Sequence, residues 1–152
     1  MRIYRIAKTH YIDDLSGEGA RLYGGRWNKP GDALLYFAEN LSLSLLEIIV
    51  HVEYAELPEE YSYIMIEIPD SSIKNIQSLD FIKPKWTTEA AVSQLQLLGS
   101  SWLKKSESLA MRVPSAVLPQ ENNILINPLH ADFGKLKVIK TDKIDLDPRL
   151  LR

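Results

Sequence analysis

Residues 19–51 read GARLYGGRWNKPGDALLYFAENLSLSLLEIIVH, and the order of signals in this stretch decides the fold class. Gly24 and Gly25 mark a turn at which backbone can approach a neighbour closely, and Arg26 follows with a planar fork of donors. The apolar run 33–38 predicts a short strand carrying Tyr36, and residues 42–51 predict a helix whose apolar character is interrupted by Glu47. Turn, strand and helix in succession bring Arg26, Tyr36 and Glu47 to one cleft. Outside this stretch, alternation predicts strands at 2–6 and 61–68, the latter closed by Pro69. A helix is expected over 87–105, with Val92, Leu95, Gly99, Trp102 and Leu103 at helical spacing, Glu89 near its start, and Lys104 and Lys105 at its end. Short runs at 110–113, 116–118, 124–126 and 136–139 read as strands between Pro, Asn and Gly turns. The reading is an α+β fold, with a small mixed or antiparallel sheet and flanking helices.

Composition narrows the function classes. A chain of 152 residues with 45% hydrophobic content fills one domain, 1–152, with a proper core. A net charge of −2 and a pI near 5.9 argue against direct nucleic-acid binding, which relies on excess Lys and Arg. The absence of cysteine excludes disulfides, thiolate zinc sites and a cysteine nucleophile. The opening MRIYRIAKTH holds no apolar run suited to a leader or a membrane span, so a cytoplasmic protein without membrane association is expected.

The individual residues admit plainer readings. Asn40, Ser44, Glu47 and His51 fall on one helical face and could form a solvated stripe. Arg26 could cover Trp27, and Tyr36 could be a core tyrosine with a satisfied hydroxyl. Ser115, flanked by Pro114 and followed by strand-like residues, suits a turn as well as a site. Glu47, His51 and His130 do not form an HExxH pattern, and no metal site is expected. Neither a P-loop nor a GxGxxG opening a helix is present in the Gly-rich segment 17–25.

Four blocks in order, GARLYGGRWN, ALLYFAENLSLSLLEIIVH, VPSAVLPQENNILINPLHADF and DLDPRL, cover nearly the whole chain and resemble the RES domain, named for its arginine, glutamate and serine. The resemblance implies an ADP-ribosyltransferase-like fold and a bacterial toxin that consumes NAD+, paired in a hetero-oligomer with an Xre-type helix-turn-helix antitoxin. It implies reactive-centre residues Arg26, Tyr36 and Glu47, and substrate contacts at Arg5, Gly25, Asn28, Ser115 and Asn127. NAD+ would be a substrate with inorganic phosphate as its co-substrate, and no resident cofactor is implied. One departure stands out: where the family commonly has His-Pro-Asp-Phe, this chain has His130, Ala131, Asp132 and Phe133.

The chemistry fits those residue types. Breaking a nicotinamide–ribose bond develops positive charge on the sugar, which a fixed carboxylate stabilises. The leaving group departs neutral from a pyridinium, so no second acid is needed to protonate it. Arg26 and Arg5 would hold pyrophosphate or phosphate, and Tyr36 would stack on the nicotinamide or orient the ribose. No base lies beside Ser115 in sequence to make it a nucleophile. The same residues would equally serve transfer of ADP-ribose to a protein side chain, and a catalytically silent antitoxin-binding module also remains open.

Overall fold

The computed structural model describes residues 1–51 and 60–151. Seven strands form one sheet: β1 (Arg2–Lys8), β2 (Leu35–Ala38), β3 (Tyr61–Glu67), β4 (Ile73–Asn75), β5 (Ala110–Pro114), β6 (Asn122–Ile126) and β7 (Lys137–Lys143), in the spatial order β4-β5-β6-β2-β1-β3-β7. Every pairing is antiparallel except β4 with β5, so the sheet is mixed and the α+β expectation holds. Among the described residues three α-helices accompany it: α1 (Glu18–Tyr23), α2 (Leu41–Ile49) and α3 (Val92–Lys105).

Both faces of the central strands are buried, which explains why β2 and β6 read as continuous apolar runs. Leu35 and Phe37 of β2, with Ile124 and Ile126 of β6, enter one core together with Ile3, Ile64 and Ile66. The intervening Tyr36 and Leu125 face a second core, built from Trp27, Leu34, Met111, Val113 and the inward residues of α3, Leu95 and Trp102. Gly99 lets α3 sit against the turn after α1: a Cβ there would fall 1.7 Å from the Trp27 carbonyl oxygen. At one edge, β7 is exposed along its whole length.

Several boundaries differ from expectation. The run 116–118 is a bend rather than a strand, because the Ser115 hydroxyl captures the backbone N–H groups of Val117 and Leu118 at 3.1 Å each. The helix expected from residue 87 starts at Val92, after a 3-10 turn at Glu89–Ala91. Helix α2 covers Leu41–Ile49 and stops short of His51. β1 and β7 run further than 2–6 and 136–139, while α1 and β4 are short elements that periodicity did not reveal.

Candidate active site

Helix α2 reaches the sheet through the stripe that its spacing alone would leave in solvent. Asn40 caps it, accepting the Leu43 N–H at 2.7 Å. Ser44, one turn on, is buried, and its Oγ accepts the Ile6 N–H at 2.9 Å on the part of β1 that outruns the Tyr4–Ala38 pairing with β2. Glu47 comes next on this face. Its Oε1 accepts two hydrogen bonds, from Ser115 Oγ at 2.7 Å and from Asn123 Nδ2 at 2.6 Å. Among the described residues Oε2 accepts none, so the carboxylate is anchored through one oxygen. His51, the last member of the stripe, is exposed.

Ser115 is fully buried, and its bonds define its role. The two N–H groups of the bend occupy its oxygen's lone pairs, so its proton points to the Glu47 carboxylate. With its lone pairs committed it does not act as a nucleophile. It orients the acid.

The Arg26 turn is fastened to Tyr36. The Tyr36 hydroxyl donates to Asn28 Oδ1 at 2.7 Å and accepts the Trp27 N–H at 3.0 Å. Burial pushes this phenol well above its ordinary range, partly offset by those hydrogen bonds and by nearby Arg26, so it is a neutral donor. Asn28 is itself fully buried and its amide donates to the carbonyls of Ala20, Asp32 and Lys29 at 2.8, 3.0 and 3.2 Å. Gly25 has to be glycine, since a Cβ would lie 2.6 Å from the Tyr36 oxygen. Its carbonyl accepts from Gln96 of α3 at 2.9 Å. Beyond this anchor the Arg26 guanidinium donates to Glu89 at 3.0 Å and to the carbonyls of Trp86 and Thr88 at 3.4 Å each. Glu89 is almost wholly solvent-exposed, so an incoming phosphate can displace it from Arg26.

Strand register joins these two halves. Tyr36 lies opposite Leu125, and Ala38 opposite Asn123, so Tyr36 and the Asn123 that holds Glu47 share one sheet face across the β2–β6 pair. Six expected residues are thereby assembled around one region: Gly25, Arg26, Asn28, Tyr36, Glu47 and Ser115. Two are not. Arg5 lies on the opposite face of β1, in line with Ile3 and Ala7 and opposite Ile64, and its guanidinium donates to the carbonyls of Asp14 and Tyr11 at 2.8 and 2.9 Å. Burial there lowers its pKa, opposed by Asp14 and Asp13. Asn127 follows the far end of β6 from Asn123, where its Oδ1 accepts the Leu129 N–H at 3.0 Å and its amide reaches Ser106. Each side chain thus ties down a neighbouring loop. His130 supports the same turn, its Nδ1 accepting the Asp132 N–H at 3.0 Å and its Nε2 meeting the Ser106 carbonyl at 3.1 Å, so the turn is held without the family's proline.

Sequence reading passed over Asn123, Glu89 and Gln96. Asn123 had a signal, since it stands two residues from Leu125 at the start of a strand that otherwise buries aliphatics. Glu89 and Gln96 had none, because only the path of the 76–91 segment and α3 brings them to the Arg26 turn.

The chain matches the RES domain over residues 2–148. It belongs to the RES domain family. A relative named Toxin Res, from Yersinia enterocolitica, is 38% identical over 152 residues, covering 99% of each chain. The Prs ADP-ribosylating toxin of a Sphingobium species is 37% identical, with 99% of this chain and 95% of the relative covered. The NAD(+) phosphorylase MbcT of Mycobacterium tuberculosis is 32% identical over 109 residues, 65% of this chain and 54% of MbcT. The solved MbcT–MbcA toxin–antitoxin complex of M. tuberculosis shares the fold, with a TM-score of 0.79 at 22% identity over 99% of this chain and 86% of the other. In this RES domain Glu47 and Ser115 are in direct contact, and Arg26 lies on the turn anchored to Tyr36.

Proposed function

We propose that this RES domain is the toxin of a toxin–antitoxin pair and destroys NAD+ by phosphorolysis. The observation that carries the reading is the Glu47 carboxylate, fixed through Oε1 by Ser115 and Asn123 with Oε2 unclaimed among the described residues, on the sheet face that also presents Tyr36. In this reaction the bond between the ribose C1″ and the nicotinamide nitrogen breaks, and its electron pair neutralises the pyridinium. A phosphate oxygen then bonds to C1″, giving nicotinamide and ADP-ribose 1″-phosphate. Glu47 offsets the charge that develops on the ribose, a contribution larger in the transition state than in the ground state. Arg26 binds the substrate's phosphates after exchanging Glu89 for them. Tyr36 keeps the Gly25-Arg26 turn in place through its hydroxyl. NAD+ and inorganic phosphate are both substrates, and no resident cofactor takes part.

Support comes from the MbcT relative, whose name records phosphorolysis of NAD+. MbcT is also seen bound to MbcA in a toxin–antitoxin complex, which supports an antitoxin as this domain's partner. The Prs relative, named as ADP-ribosylating, favours a second reading in which a protein side chain takes the ADP-ribose. Incubating the purified domain with NAD+ labelled in the adenosine moiety, phosphate and a cell extract separates the two. Label recovered as ADP-ribose 1″-phosphate supports phosphorolysis, whereas label fixed to protein supports transfer; free ADP-ribose alone would rule out both acceptors.

A further inference from the structure

Asn123 occupies an odd place for its residue type. Asparagine is disfavoured in strands, and this one sits within β6 between Ala38 of β2 and Val113 of β5, whose side chains offer it no polar partner. Among the described residues its side-chain amide makes one hydrogen bond, to Glu47 Oε1 at 2.6 Å. The neighbouring Asn122 points to the other face and donates to Glu39 at 3.3 Å. Ser115 reaches the same Oε1 from the bend after β5, so donors from two separate segments converge on one oxygen of the acid.

We infer that Asn123 is a positioning residue for the reaction: with Ser115 it locks the rotation of the Glu47 carboxylate and directs Oε2 to the substrate ribose. This rests on the reading that Glu47 stabilises the reacting sugar. Two donors are required because one hydrogen bond fixes an oxygen but leaves the carboxylate plane free to turn about it. The small side chain of Ala38 leaves the space above the β2–β6 pair in which α2 brings Glu47 to Asn123. An asparagine amide supplies a donor without a competing charge, whereas a carboxylate in its place would repel Glu47.

The test measures kcat and KM for NAD+ in Asn123→Ala and the isosteric Asn123→Asp, each alone and combined with Glu47→Gln, with melting temperatures and product formation followed by mass spectrometry over hours. We expect kcat of Asn123→Ala to fall about 10- to 100-fold, as loss of a hydrogen bond to a charged group does, with KM within about twofold of wild type. Asn123→Asp should fall at least as far, because it replaces the donor with a second carboxylate facing Glu47. Once Glu47 is glutamine, neither change should reduce turnover further, because the group being positioned is gone. Full activity in folded Asn123→Ala or Asn123→Asp beside an inert Glu47→Gln would overturn the role of Asn123 alone, as would an undiminished loss in the Glu47→Gln background. Wild-type turnover in Glu47→Gln would instead overturn the reading beneath it.

Discussion

At the residue scale, the hydroxyl of Tyr36 shows how a side chain can serve a site without reacting. Removing it in Tyr36→Phe leaves the Trp27 N–H and Asn28 Oδ1 unpaired in a buried place, at a cost of about 1–3 kcal/mol readable by denaturant unfolding. The pH dependence follows from its raised pKa. The folded protein keeps the proton that an unfolded tyrosine loses near its ordinary value of 10.0, so this stabilisation is complete below that pH and is lost as pH rises above it. The slope approaches about 1.4 kcal/mol per pH unit. Unfolding measured across pH 9–11 should therefore steepen in the wild type relative to Tyr36→Phe. Arg26 gives a second prediction: Glu89→Gln removes a competing carboxylate from the guanidinium, and KM for NAD+ should fall about two- to fivefold with kcat unchanged. A KM that rises would mean that Glu89 assists binding.

At the element scale, α2 and α3 hold the site from opposite ends. Asn40→Ala removes the α2 cap and should cost about 1 kcal/mol in unfolding free energy, and it should also lower kcat by loosening the helix that carries Glu47. Gly99→Ala is more severe, because the added methyl meets the Trp27 carbonyl and α3 has to shift away from the turn bearing Arg26. A drop of several degrees in melting temperature is expected, and a wild-type value would contradict the close approach. The long elements were legible from periodicity: β3 and α3 carry clear two- and 3.6-residue patterns, and the apolar run of β2 is bounded by turn residues. The bend at 116–118 was not, because its apolar residues look strand-like and only the buried Ser115 hydroxyl, drawing two N–H groups to itself, prevents pairing. Likewise α1 and β4 are too short to show a period.

At the scale of the whole molecule, the sheet is what turns distant residues into one site. Tyr36 and Asn123 share one sheet face because β2 pairs with β6, a pairing between segments far apart in sequence, and α2 then brings Glu47 to Asn123. The sequence blocks identified the turn, the strand tyrosine, the helix glutamate and the serine. They did not show where Arg5 and Asn127 lie relative to these, because which face of a strand a residue takes, and which end of β6 faces α2, are fixed only by long-range register. That geometry makes Glu47 the centre of the account, and removing its charge without changing its shape tests it. NAD+ consumption by the wild-type domain and Glu47→Gln, with and without inorganic phosphate, is the direct measurement, paired with the melting temperature of each. Phosphate-dependent NAD+ loss is expected in the wild type, with a decrease of about 100-fold or more in a variant that melts normally. A folded Glu47→Gln that consumes NAD+ at the wild-type rate would contradict it.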